Sequence, residues 1–306
     1  MGHPGTIKNQ KMAYIYAILA VTCWSTIGSA FKLTLRYAGY IEILLYSSLI
    51  ASIILFIILI FQEKAHLLWK SSATDIGRSA LFGFLNPFLY YMILVKAYEL
   101  LQAQEAVALN YTWPIALVLL SIPVLKQKIG LRSIVALFVS FAGIVIIITR
   151  GNFTSLNLSN GTGIALALGS SIVWAAYWIL NMKDQRDEIP KLLLNFFFGF
   201  IYTLFAAIFT GNLRILPWEG YAGVVYIGFF EMGITFALWL IALKLSETTA
   251  RVSNLIFLSP FLSLLIISIA VGEKILLSTF LGLIFIVGGI ILQRFSGTKS
   301  KMPKSA

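Results

Sequence analysis

The chain has 306 residues, of which 59% are hydrophobic and 11% charged, with a net charge of +11. A soluble domain normally carries about 25% charged residues, so this composition excludes an ordinary globular protein and describes one that crosses a membrane many times. A single cysteine, Cys23, excludes a disulfide framework, and two histidines, His3 and His66, give no reason to expect a metal or any other cofactor.

A membrane-spanning helix needs roughly 20 mostly apolar residues. Windows of that length give ten candidates: 13–31, 41–61, 76–95, 103–124, 131–149, 161–181, 191–210, 221–243, 249–271 and 276–293. Lys8 and Lys11 precede the first window, and Gly28-Ser29-Ala30 resembles a signal-peptide cleavage site. That run is as long as a full span, so it reads as an uncleaved first helix behind a tail of residues 1–12. The longest connections are 62–75 and 150–160, the latter rich in Gly, Asn, Ser and Thr. Neither is long enough for a soluble domain, and a second tail covers 295–306.

Lys and Arg follow loop parity. Only Lys32, Arg36, Lys96, Arg150, Arg214 and Lys274 fall on one side of the ten windows, and the other 17 of the 23 fall on the opposite side. Cytoplasmic loops carry the excess of basic residues, so both termini are expected in the cytoplasm and 150–160 outside it. This bias also explains the net charge without invoking nucleic acid.

The chain repeats itself. Gly83-Phe84-Leu85-Asn86 aligns with Gly228-Phe229-Phe230-Glu231 at an offset of 145, and Pro114 with Pro260 and Gly143 with Gly289 at 146. Gln127-Lys128-Ile129 meets Glu273-Lys274-Ile275 at 146, and Trp24 matches Trp174 near the middle of the first and sixth windows. Five windows per half is an odd number, so the second half enters from the opposite side. The expected fold is all-α: ten membrane helices in two inverted five-helix repeats, 13–149 and 161–294, around a central cavity. Inverted repeats are typical of secondary transporters, whose substrate site lies near the midplane between the halves.

Three short motifs add to this: Trp24-Ser25-Thr26, Asn110-Tyr111-Thr112-Trp113-Pro114 and Trp174-Ala175-Ala176-Tyr177. With the layout, they resemble the drug/metabolite transporter superfamily, with two EamA-type repeats covering nearly the whole chain, and within it the aromatic amino acid exporter branch. The resemblance implies a basket of helices in which 1, 3, 4, 6, 8 and 9 line the cavity while 5 and 10 lie outside. It also implies export of aromatic amino acids or related metabolites. Tyr46 stands where the superfamily often has an Arg, which leaves the cavity less cationic.

Glu231 is the sharpest candidate. An ionised carboxylate in mid-span costs about 2.5–3.5 kcal/mol on insertion scales, so it should face a cavity or a cation. It would hold a substrate ammonium or exchange a proton; otherwise it snorkels or bonds a neighbouring helix. Asn86 takes the equivalent place in the third window, before Pro87, with Tyr90 and Tyr91 one turn on. It reads either as a polar partner in the cavity or as repair of a proline kink. Asn110 and Trp113, at i and i+3, share a face, fit for a substrate carboxylate and side chain; alternatively Asn110 repairs the backbone freed by Pro114. Trp24, Trp174 and Tyr177 lie too deep for an interfacial belt and suit stacking or cation–π contact.

Pro87, Pro114 and Pro260 read as hinges, Trp178 as a belt residue, and Trp239 as a continuation of the Glu231 face. Glu42 reads as paired with Arg36 or solvent, and Glu99, Glu105 and Glu247 as solvated charges. Ala136, Ser140 and Gly143 read as a close-packing face. No nucleotide-binding loop of the Gly-x-x-x-x-Gly-Lys-Ser/Thr type occurs. The expectation is a secondary exporter of the cell membrane, monomeric or weakly oligomeric, whose partners are a small-molecule substrate and the bilayer. Nucleobases, nucleotide sugars and cationic drugs are the alternative solutes, and a membrane enzyme the alternative class.

Overall fold

The computed structural model describes residues 8–125, 131–152, 160–181, 184–247, 252 and 254–296. Among them all regular structure is helical, as a chain in hydrocarbon requires, since each backbone group must find its partner within the protein. We label the elements α1 (Gln10–Thr34), α2 (Tyr40–Phe61), α3 (Ala73–Leu100), α4a (Ala103–Asn110), α4b (Trp113–Leu125) and α5 (Leu131–Ile148). The second half holds α6 (Gly161–Asn181), α7 (Glu188–Thr210), α8 (Trp218–Tyr226, Ile227–Ile234 and Thr235–Leu245 in succession), α9 (Ser259–Ala270) and α10 (Leu277–Ser296).

Seven helices are long and apolar enough to cross a membrane; Ile134–Ile148, Leu255–Ala270 and Leu277–Leu292 are shorter apolar stretches. Part of the window 249–271 lies outside the described residues. Several helices start earlier than hydropathy suggests, because polar caps precede the apolar run. Ser72 and Asp75 form a capping box before α3, and Asp187 accepts from Ile189 N before α7.

The fourth window departs from expectation. Instead of one helix kinked at Pro114, it breaks at Tyr111 and Thr112, and Pro114 falls in the first turn of α4b. Proline is tolerated there because its missing N–H would have had no helical acceptor. Pro260 likewise sits in the first turn of α9, after a 3₁₀ turn over Asn254–Leu258.

Packing crosses the halves. α1 lies against α8 and α9, and α6 against α3 and α4b; α2 meets α8, and α7 meets α3. α2 also packs on α7, and α5 on α10. Exchanging α1–α5 for α6–α10 leaves this set of pairs unchanged. The α5–α10 contact needs glycine: a Cβ on Gly289 would run into Ser140 Oγ and Ala136 O. The packing face read at Ala136, Ser140 and Gly143 is thus used.

Candidate functional site

A cavity of about 630 Å³ lies where the halves meet. Residues of α1, α3, α4a, α4b, α6, α8 and α9 line it, and α10 adds Ile290. Five tryptophans face it, Trp24, Trp113, Trp174, Trp178 and Trp239, together with Tyr90, Tyr98 and Tyr111. Trp24 lies 5.4 Å from Trp239, and Trp174 4.7 Å from Tyr90, between ring centroids. Trp178, expected in an interfacial belt, lines the cavity instead, because it is one turn from Trp174 on the same helix face.

Glu231 is the one charged residue among the described lining residues. It occupies a π-helical segment, Ile227–Ile234, in the middle of α8; the wider turn is supported by Thr235, whose hydroxyl bonds the Phe230 carbonyl five residues back. Such insertions are rare and frequent at functional sites. The side chain is 7% exposed. Its Oε1 accepts from the Tyr91 hydroxyl at 2.9 Å, while Oε2 is buried without a hydrogen-bond partner. None of the ion pairs among the described residues includes Glu231.

Asn110 ends α4a and ties three elements together. Its Oδ1 accepts from Tyr90 at 3.2 Å, and its Nδ2 donates to Ser170 Oγ of α6 at 2.9 Å. Thr112, in the break, donates to the Leu109 carbonyl and meets Ser171 Oγ at 3.0 Å. The Asn110 amide therefore bonds other side chains through its oxygen and through one of its two N–H groups, rather than a carbonyl freed at Pro114. Ser25 of α1 donates to Ser259 Oγ, at the start of α9, at 3.2 Å.

Of the residues singled out in the sequence, Trp24, Tyr90, Asn110, Trp113, Pro114, Trp174 and Glu231 converge on the cavity. Asn86 and Tyr177 do not line it. Asn86 carries non-helical angles (φ −148°, ψ 116°) inside a π segment, Phe84–Leu89, at the position the repeat aligns with Glu231. It is fully buried, and its amide faces the Tyr177 hydroxyl. Tyr177 lies beside it and accepts from Asn195 Nδ2 of α7 at 3.5 Å. Pro87, next to Asn86, leans on Gly199 of α7, where a Cβ would strike its ring.

A set of hydrogen bonds joins the ends of α1, α3 and α4a to the loop before α10. Glu273, in the loop before α10, accepts from the backbone N–H groups of Ala103 (2.9 Å) and Gln104 (3.3 Å), the free N-terminus of α4a. Gln104 donates to the Lys274 carbonyl and accepts from Leu276 N. Lys32 of α1 donates to the carbonyls of Tyr98 and Leu101 at the end of α3.

Two acidic residues here correct the sequence reading. Glu105 is 2% exposed and pairs with Arg150 at 2.8 Å instead of being solvated; its hydrogen bond holds the Arg150 guanidinium above its usual pKa. Glu42 pairs with Arg214, not Arg36, at 2.9 Å. Both partners are distant in sequence, so no local pattern shows them. Sequence reasoning also gave no role to Tyr98, Tyr111, Ser170 or Glu273.

The comparisons with known proteins agree with this architecture. The EamA-like transporter family matches the chain twice, over residues 11–149 and 161–295. A protein of Clostridium kluyveri named an uncharacterized transporter is 28% identical over 304 residues, 95% of each chain. The uncharacterized transporter YvbV of Bacillus subtilis is 26% identical over 72% of each, and one of Archaeoglobus fulgidus 23% identical over 91% of this chain and 97% of its own. A solved structure titled only as a crystal structure of a protein shares the fold, with a TM-score of 0.63 at 17% identity, covering 96% of this chain and all of that one.

Proposed function

We propose, from the premise that the chain belongs to the EamA-like transporter family, that it exports small organic solutes through the central cavity by alternating access. The chain is a multi-pass membrane protein, and its relatives are named transporters. The units are 13–149 and 161–294, inverted with respect to each other, joined by an extracytoplasmic linker at 150–160. The tails 1–12 and 295–306 are cytoplasmic, and the protein resides in the cell membrane. The exchange symmetry of the helix pairs supports two related halves that rock about the cavity.

Glu231 carries this reading: it lines an aromatic cavity between the halves, and one of its carboxylate oxygens is buried without a hydrogen-bond partner. A group left unsatisfied in such a place is expensive, and a solute that completes its bonds accounts for it. Trp24, Tyr90, Asn110, Trp113 and Trp174 form the walls around it, and the breaks at Pro87, Pro114 and Pro260 are the places where α3, α4 and α9 can pivot. Asn86 and Tyr177 act from behind the wall, through the bend of α3. The aromatic surface and the motif resemblance favour aromatic amino acids and related metabolites.

The test is flux of radiolabelled solutes in liposomes containing the purified chain, with and without a pH gradient. The proposal expects saturable flux that protein-free liposomes lack. A panel of aromatic solutes, nucleobases and quaternary amines that gives none overturns it. Flux independent of the gradient that survives Glu231→Gln assigns Glu231 no part in proton coupling.

A further inference from the structure

We infer that the cavity selects organic cations: its solute places a positively charged nitrogen at Glu231 Oε2, an aromatic or aliphatic body among the tryptophans, and carries no carboxylate. This rests on the transport reading above and narrows it from aromatic amino acids and their relatives to the corresponding amines.

The positive half of the inference comes from the carboxylate and the rings. Oε2 is a buried acceptor with no hydrogen-bond partner, on a side chain that lines the cavity. An ammonium supplies both the missing donor and the missing charge. In the same cavity the rings of Trp24, Trp174 and Trp239 offer π-density, which attracts a cation within about 6 Å of a ring centroid. Trp24 and Glu231 line the same cavity, so ring and carboxylate act on the same region.

The negative half comes from what the polar lining has left to give. A zwitterionic amino acid needs a second subsite for its carboxylate. Asn110, the obvious one, has one N–H of its Nδ2 committed to Ser170 and its Oδ1 engaged by Tyr90, which leaves a single neutral N–H. The Tyr91 hydroxyl is committed to Glu231 itself. The other polar groups of the lining, the indole N–H groups and the hydroxyls of Tyr98, Tyr111 and Ser263, are all neutral, and a neutral donor leaves a desolvated anion uncompensated. Glu231 meanwhile repels it. Removing the carboxylate from the solute therefore improves its fit.

The experiment is a thermal-shift titration of the purified full chain at neutral pH with three probes: tryptamine, tryptophan and tryptophan methyl ester. The ester keeps the ammonium and the indole and masks the carboxylate. Tryptamine and the ester are expected to stabilise the protein, with tryptophan weaker by at least about tenfold. Glu231→Gln, shown by gel filtration and tryptophan fluorescence to be folded, is expected to lose the response to both. Glu231→Asp, which keeps the charge, is expected to retain part of it. Tryptophan binding as tightly as tryptamine, or tryptamine binding unchanged in Glu231→Gln, overturns the inference. Binding of none of the three also overturns it, and saturable flux of another solute would then leave the transport reading standing.

Discussion

The Tyr91 hydroxyl donates to Glu231 Oε1 at 2.9 Å, so the charged group of the cavity sits on α8 but is held from α3. These are the equivalent helices of the two halves. Oε2 is the buried oxygen of the carboxylate that has no hydrogen-bond partner. Removing the hydroxyl with Tyr91→Phe would leave both oxygens unsatisfied. The expected cost is about 1–3 kcal/mol, read as a lower unfolding temperature in detergent, and Glu231→Gln in the same background should recover part of it.

The contact between α3 and α7 should be intolerant of a single methyl group. A Cβ on Gly83 would meet the Asn195 carbonyl, and one on Gly199 the Pro87 ring. Gly83→Ala and Gly199→Ala are each expected to destabilise by about 1–3 kcal/mol through overpacking. Gly77, with open space around it in the same helix as Gly83, is the control. Gly77→Ala should be neutral or stabilising by up to about 1 kcal/mol.

Glu273 should hold one end of the cavity closed. Its carboxylate satisfies two N–H groups at the start of α4a, where negative charge is also favoured by the helix dipole. Loss of such a cap costs about 0.5–2 kcal/mol. Glu273→Ala should therefore populate a state open at that end. With Ser263→Cys as reporter and Cys23→Ser to remove the native thiol, labelling by a membrane-impermeant reagent should rise. Unchanged labelling would show that Glu273 is no latch.

Asp184 gives the loop before α7 an acid-sensitive contribution to stability. Burial pushes its carboxyl up, but hydrogen bonds and charge from Arg186 outweigh this and hold it below the ordinary carboxylate range; the closest contact is 2.6 Å. A carboxyl whose folded pKa is depressed stabilises above its unfolded pKa, about 3.9, and loses that contribution as pH falls through the folded value. The stability difference between the native chain and Asp184→Asn should hold from neutrality to about pH 5 and shrink below about pH 4.

The helices and their order were legible in the sequence because hydrocarbon imposes a length and a composition on every span. Glu231 was legible for the same reason, since a charge in such a run is conspicuous. Trp24 and Trp174 stood out because they occupy matching depths in the two halves. The repeat also marked Asn86, but not where it would point: the departure of α3 from helical geometry turns it toward Tyr177 and α7 and away from the cavity. The pairs Glu105–Arg150 and Glu42–Arg214 join residues 45 and 172 positions apart, and only folding brings them together. Trp178 was misjudged because depth was estimated from its place in the window, whereas the face it shares with Trp174 decides its exposure.

The measurement that bears most directly on the central claim is the initial rate of solute flux into liposomes holding equal amounts of folded native chain and Glu231→Gln. With a labelled aromatic amine as solute, the account predicts saturable flux for the native chain and a rate at least about tenfold lower for the variant, a loss of about 1.4 kcal/mol or more in the transport step. Equal rates for the two would contradict it, because the cavity carboxylate would then take no part in carrying the solute.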